Sequence, residues 1–532
     1  MRSENYVDPN ALADRLDGVS FSVALFLAEE QLSDGELPAK NFYGKAFSIL
    51  LWGQHGFRFL SNIERSMRKL QQEQTTPLPP NYHFEFNRYA LLKTLGICPA
   101  IGTTEDHFGP ERYTGTRVAN WTLLRIYCRL HSRKFIQRMV GRAEIAMAYL
   151  CFAHSSGLIE DQRGAYTMQY HAFCIALLGE LLAGPLKSST WVHKWFQRSI
   201  DSLAVLVLPG GQCNYIGRGS LQSFGYAAAI LAFAHAYRIF GNSYYLEKAC
   251  EVLSYLERFQ RSDGSFPLVL SNVKEGDPSL FDLRNPSYAG WWSYNNYYDY
   301  LPFLGAVIGL ARDILRLPHC SVSYAVKGNQ ESVKFGNSVS VVRKNKYTAV
   351  IALPNRRVFA ASQPMPYLSL AGRYPLPCFG GEQHKPSLYS QYGLPLPVIE
   401  THHSGEIVMA NARYVWTAEH AFCATTSGVK HERCFTFTDE KIIVRDCVSW
   451  ASTVNVRRVR APRILLLEGE GKPLQDRCLE LTGMRIEFGG PVEHEKEILY
   501  GPQGKMRAWF LSNLTGEQLA LGHAVCETVL SM

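Results

Sequence analysis

Residues 251–267 read EVLSYLERFQRSDGSFP, and residues 23–38 read VALFLAEEQLSDGELP. In each, apolar positions recur every three or four residues until an Asp-Gly pair bends the chain, the pattern of an amphipathic helix stopped by a turn. Residues 145–164, IAMAYLCFAHSSGLIEDQRG, echo it more weakly, with Asp161 in the place of Asp34 and Asp263. The neighbouring segments match as well: FYGKAFSILLWGQHGF, from Phe42, resembles FGYAAAILAFAHAYRIF, from Phe224. Self-similarity of this kind signals stacked helical hairpins, since one hairpin cannot bury its apolar face alone. The aspartates themselves read as turn and cap residues.

Working outward, further helical periods fall near residues 85–96, 118–131, 135–154, 165–184 and 190–207, so hairpins recur from about residue 8 to about residue 316. About ten to twelve antiparallel helices result, at a hairpin spacing of about fifty residues. They could form a solenoid or close on themselves. Long aromatic-rich loops such as residues 270–290 favour an (α/α) toroid whose loops line a cleft. Beyond His319 the period changes to alternation, in stretches such as SVKFGNSVSVVRKN, YTAVIALP and CFTFTDEKIIVRDCVSW. The expected architecture is therefore a toroid over residues 1–316 and an antiparallel β-sandwich over residues 317–532. One irregular segment, about 371–403, breaks the strand rhythm and is expected to reach back over the toroid mouth.

Composition narrows the functional classes. The chain has 532 residues, 46% hydrophobic, 12% aromatic and 19% charged. Its net charge of +8 is modest and not gathered into basic runs, which argues against a nucleic-acid footprint and leaves room for an acidic substrate. No apolar run of about eighteen residues is present, so no membrane span is expected. The N-terminal stretch MRSENYVDPNALADRL lacks the apolar core of a signal peptide. Thirteen cysteines are scattered without a CxxC pair, which suits a reducing compartment better than a disulfide framework or a zinc cluster. A cytoplasmic location follows as the expectation, or a periplasmic or secreted one if a leader has been removed. Neither a P-loop nor GxSxG occurs, and IGRGSLQSFG lacks the βαβ context of a dinucleotide site, so no metal and no cofactor are expected.

Four polar clusters sit at helix heads. HFEFNRYALLKTLG places His83, Glu85, Asn87 and Arg88 after the breaker TTPLPPN. AYTMQYHAFCIALLGELL places Gln169, Tyr170 and His171 at the head of an apolar helix. GGQCNYIGRGSLQSFGY, from Gly210, gathers Asn214, Tyr215, Arg218, Gln222 and Tyr226 where a glycine-rich segment opens into a helix. Free N–H groups at such a mouth favour an anion. GWWSYNNYYDYLPFLG supplies Trp292, Tyr294, Asn295, Asn296 and Asp299. Rings that stack on pyranose faces, mixed with amides that take hydroxyls, are the composition of a sugar cleft.

A helical toroid, a β-sandwich and an aromatic cleft together resemble the polysaccharide lyases of the heparinase II/III and alginate lyase type. In that family an Asn-His or related pair stands at one helix head, and an arginine followed by a tyrosine stands in a later hairpin. Tyr170-His171 matches the first, with Tyr in the place of Asn. Arg218 with Tyr226 matches the second, and Tyr215 on the other side of Arg218 is a rival for the tyrosine. The resemblance implies β-elimination on a uronate-containing glycan. That reaction needs a neutralised carboxylate, to which Asn214, Arg218 and Gln222 are suited. It also needs a proton acceptor and a donor, for which His171 and Tyr215 are suited. Glu85, Asn87, Tyr170, Tyr226, Trp292, Tyr294, Asn295, Asn296, Asp299, His402 and His403 are expected to bind substrate. A glycoside hydrolase, a uronate epimerase and a non-catalytic glycan-binding protein are the alternatives.

Overall fold

The computed structural model describes all residues except 1–6, 40, 76–82, 98–111, 163–165, 218, 271–296, 319–330, 354–366, 371–395, 404, 468–470, 476, 482, 495–498, 502–503 and 512–520. Among the described residues eleven α-helices come first: α1 (Pro9–Glu30), α2 (Gly44–Gln54), α3 (Leu60–Thr75), α4 (Phe84–Ile97), α5 (Ala119–Leu130), α6 (Phe135–Phe152), α7 (Met168–Ala183), α8 (Thr190–Leu206), α9 (Ser223–Phe240), α10 (Ser243–Glu257) and α11 (Tyr297–Leu315). An inner ring runs α2, α4, α5, α7, α9, α11 and back to α2. Helices α1, α3, α6, α8 and α10 stand outside it, and the result is an (α/α) toroid.

The repeated Asp-Gly turn has two physical jobs. Asp34 Oδ1 accepts from Glu36 N at 3.0 Å and Asp263 Oδ1 from Ser265 N at 2.9 Å, so both aspartates shape the turn as expected. Turn glycines then dock four of the five outer helices on the next. A Cβ on Gly35, after α1, would lie 2.3 Å from the carbonyl oxygen of Arg65 in α3. One on Gly157, after α6, would lie 2.3 Å from Arg198 O in α8, and one on Gly211, after α8, 1.9 Å from Glu251 O in α10. Gly264, after α10, comes within 2.8 Å of Ser22 O in α1, which closes the outer ring. Arg15 of α1 reinforces that closure by pairing with Glu257 of α10 at 2.5 Å. Because Gly211 also has φ +93, Gly211→Ala is expected to lower stability by about 2 kcal/mol or more, measurable by thermal unfolding. Gly18→Ala in α1 meets nothing within 4 Å and serves as the control, expected neutral to slightly stabilising.

The toroid axis is filled rather than open. In the C-terminal halves of three inner helices, Glu180 of α7 pairs with Lys93 of α4 and lies 3.3 Å from His235 of α9. Gly179 admits that imidazole, since a Cβ there would sit 2.6 Å from the ring.

The second half is antiparallel throughout its described strands. Its largest sheet has eight strands in the order Lys472–Gln475, Cys478–Leu481, Met484–Phe488, His523–Ser531, Lys441–Trp450, Val429–Phe437, Ala421–Thr426 and Val415–Ala418. Smaller sheets of four, three and four strands accompany it, and a second apolar core, including Ile399, Phe422, Val444, Ile464 and Ile486, lies among them. The alternating burial of Lys441–Trp450 is that of a strand with one face inside.

The sheet Ser332–Phe335, Val339–Arg343, Thr348–Ala352, Tyr367–Ser369 joins the toroid's own core through Val339, Val341, Val350 and Tyr367. Arg343 Nη2 donates to Val205 O at 2.6 Å, and Ser369 Oγ to Pro209 O at 3.2 Å. No helix among the described residues is long and apolar enough to cross a membrane. Of the irregular segment expected to reach the mouth, residues 371–395 lie outside the described ones. Its end differs from expectation: Val398–Thr401 is a strand paired with Gly405–Val408.

Candidate functional site

The first turns of α2, α4, α7, α9 and α11 gather at one end of the inner ring. Helix α2 has no side-chain cap of its own, and Asp299 of α11 supplies one. Its Oδ1 accepts from the backbone N–H of Phe42, Tyr43 and Gly44, each at 2.8 Å. The approach is so close that a Cβ on Gly44 would lie 1.7 Å from Tyr298 O. Asp299 therefore closes the inner ring, which corrects its expected role as a sugar ligand. Asn87 ties α4 to the same corner, its Nδ2 donating to Phe42 O at 2.8 Å and His83 O at 3.0 Å. Glu85 turns toward the segment that precedes α5, where its Oε1 accepts from Thr114 N at 2.7 Å and Thr114 Oγ1 at 2.8 Å. Burial raises its pKa, against the pull of the Thr114 bonds and Arg125. Both side chains hold the mouth together rather than lining it.

The residues expected to do chemistry are turned into packing. His171 is fully buried, with Nδ1 accepting from Ile159 N at 3.1 Å and Nε2 3.1 Å from Ser202 Oγ, which itself donates to Ser199 O at 2.7 Å. These partners fix the ring as neutral with the proton on Nε2. Burial lowers its pKa to about 3. A ring so enclosed cannot meet a polysaccharide, so the expectation of a general base at His171 is corrected: it staples α7 to α8. His171→Ala should cost about 1–3 kcal/mol by stranding Ile159 N–H and Ser202, seen as a lower unfolding midpoint.

Tyr215 is buried at the domain junction, donating to Leu206 O at 2.8 Å and stacked on Tyr367 at 4.5 Å. Tyr226 stacks on Tyr255 of α10 at 5.3 Å, away from the inner ring. Neither tyrosine is placed for proton transfer, because each ring is packed against another element. Asn214 is a brace: its Nδ2 donates to Gly219 O at 2.9 Å and Gln222 O at 3.1 Å. A Cβ on Gly219 would sit 2.3 Å from Gln169 Nε2, so the loop lies directly on the head of α7. Gln222 stands at the N-cap position of α9 without a side-chain capping bond and is buried, as is Tyr170, whose ring lies 6.4 Å from Phe224. Arg218, Trp292, Tyr294, Asn295 and Asn296 lie outside the described residues. His402 and His403 are exposed in the turn after Val398–Thr401, rings 6.4 Å apart.

One half-buried imidazole remains at the mouth, in the corner between α2, α4 and α5. His83 stacks on Phe42 at 4.8 Å and lies 4.8 Å from Trp121 and 5.5 Å from Tyr43. From there aromatic contacts continue inward: Tyr43 on Phe86 at 4.6 Å, Phe86 on Phe173 at 5.8 Å, Phe173 to Phe224 at 5.2 Å and Phe224 to Tyr300 at 5.4 Å. Phe42 and Trp121 are, like His83, partly open to solvent, while Tyr43 is enclosed and hydrogen-bonded to Tyr300. The sequence reading named His83 as a helix-head residue but gave it no role. Its partner Trp121 comes from a helix outside the four clusters, so no local signal joined them. Among the described residues no cluster of His, Cys, Asp and Glu could hold a metal ion.

An (α/α) toroid followed by an antiparallel β-sandwich is the fold of the chondroitin AC lyase type of polysaccharide lyase. The structure of Streptomyces coelicolor A3 chondroitin AC lyase in complex with chondroitin sulphate matches with a TM-score of 0.50 and 13% identity, over 100% of this chain and 80% of that one. The heparan sulfate lyase of Pedobacter heparinus matches over 99% of this chain and 84% of that one, with a TM-score of 0.47 and 11% identity. The cellobiose 2-epimerase of Spirochaeta thermophila matches 57% of this chain and 97% of its own, with a TM-score of 0.40 and 16% identity. No protein-family model and no curated protein sequence matches the chain.

Proposed function

We propose that the protein is a carbohydrate-active enzyme that cleaves an acidic polysaccharide by β-elimination next to a uronate. The observation that carries this reading is the mouth itself: the half-buried imidazole of His83 set on an aromatic floor with Phe42 and Trp121. Phe42 and Trp121 offer ring faces to the sugar. His83 takes the C5 proton; the electron pair forms the C4–C5 double bond, the C4–O bond breaks, and the leaving oxygen takes up a proton. An imidazole performs such transfer near neutral pH.

Three carboxylates favour elimination over hydrolysis, which needs two opposed carboxylates. Asp299 is committed to three backbone amides, and Glu85 Oε1 to Thr114. Asp263 shapes its turn. Arg218 is retained from the sequence reading alone as a cation for the substrate carboxylate. The test is to incubate the protein with a panel of uronate-containing polysaccharides and follow ultraviolet absorbance of an unsaturated uronyl product. New reducing ends without that absorbance would make it a hydrolase. Deuterium uptake from solvent without chain cleavage would make it an epimerase.

A further inference from the structure

We propose that the outer face of α6 seats the protein on an anionic membrane surface. Six of the fifteen large apolar side chains exposed among the described residues lie on this one helix. Phe135 and Ile136 are each 69% exposed, Met147 58% and Leu150 74%. Ile136, Val140, Ala143, Met147 and Leu150 recur at alternating steps of four and three, so they form a continuous stripe along the helix. The opposite face, with Gly141, Ile145, Ala148 and Phe152, is buried in the toroid. The helix is thus apolar on two sides, and only one of them has a partner within the described residues.

Charge identifies the occupant. Arg133, Lys134 and Arg142 are exposed around the stripe, and Arg138 lies 5.9 Å from the Phe135 ring. The single acid of α6, Glu144, is already paired with Arg125 at 3.2 Å and Arg129 at 2.9 Å. A second copy of the helix fits poorly. In an antiparallel pair the two-fold axis falls near Ala143 and brings Arg142 against its own counterpart, while a parallel pair sets every arginine beside itself. Anionic headgroups meet the same cations with opposite charge, while the stripe enters the acyl boundary. On neighbouring α8, Trp191, 40% exposed and 5.6 Å from Tyr149, adds the kind of aromatic that membrane interfaces favour.

The experiment is co-sedimentation of the full chain with phosphatidylcholine vesicles, with and without phosphatidylserine, at low and high salt. Binding is expected only where phosphatidylserine is present, and should weaken as salt screens it. Phe135→Gln and Leu150→Gln should each lower the partition coefficient by about tenfold or more, with unfolding midpoint unchanged because both side chains are exposed. No binding to phosphatidylserine vesicles, equal binding by the variants, or equal binding to both vesicle types would overturn the proposal. So would a concentration-dependent dimer that the same two variants dissolve, since the stripe would then belong to a second copy.

Discussion

Asp446→Ala is expected to destabilise the protein by about 3–5 kcal/mol, the cost of removing one partner from a buried ion pair. Asp446 sits on the inner face of the eight-stranded sheet with no solvent exposure. Its Oδ1 accepts from Arg433 Nε at 2.7 Å and lies 2.6 Å from His431 Nε2, and its Oδ2 accepts from Arg433 Nη2 at 3.1 Å. Tyr414 OH completes the chain 2.7 Å from His431 Nδ1. Removing the carboxylate leaves a guanidinium and an imidazole in an apolar core. Urea unfolding followed by circular dichroism measures the loss, and a value under about 1 kcal/mol would mean the network contributes nothing beyond packing. Arg433→Met in the Asp446→Ala background should recover part of it, because the stranded charge is gone.

The same network fixes the sign of the pH dependence. Burial pushes the Asp446 pKa up, but Arg433 and His431 outweigh it and the net shift is down from 3.8. Burial lowers His431 from 6.5 despite its bond to Asp446, and lowers His171 to about 3. For all three the folded pKa lies below the unfolded one, so their stabilisation is present above the unfolded value and is lost as pH falls. Stability should therefore begin to decline below the ordinary histidine value, at about 1.4 kcal/mol per pH unit for each buried imidazole, and fall further through the carboxylate range.

His83→Ala is expected to lower turnover by about a hundredfold, the scale on which a general base acts, while leaving the fold intact. Removing the ring leaves in place the bond from Asn87 to the backbone carbonyl of His83, which holds the corner of α4. Its loss should therefore be a loss of chemistry. Trp121→Ala should act differently, raising KM more than it lowers kcat, because a stacking face binds ground state and transition state alike.

The repeat carried most of the toroid, because helix length, Asp-Gly turns and apolar period are all local. Asp34 and Asp263 behave as their turns demand, and the helix spans near 85–96, 118–131 and 135–154 fall within a few residues of α4, α5 and α6. What the sequence could not show was rotation. A polar residue at a helix head looks the same whether it faces the mouth, as His83 does, or the seam with the next helix, as His171 does. Tyr215 depends on Tyr367, far along the chain, and Asp299 on the amides of α2, so their roles exist only after closure. The strand His523–Ser531 alternates in burial, and its place inside the largest sheet, between Met484–Phe488 and Lys441–Trp450, is set by pairing with strands far back along the chain.

The central claim is that the chemistry belongs to the helix mouth at His83 and not to the buried histidine of α7. The direct measurement compares kcat/KM and unfolding midpoint for His83→Ala and His171→Ala on a uronate polysaccharide that yields unsaturated product. The expected result is a loss of about a hundredfold with an unchanged midpoint for His83→Ala, and a lowered midpoint with kcat/KM nearly intact for His171→Ala. Full activity in His83→Ala, together with inactivity of a well-folded His171→Ala, would contradict it.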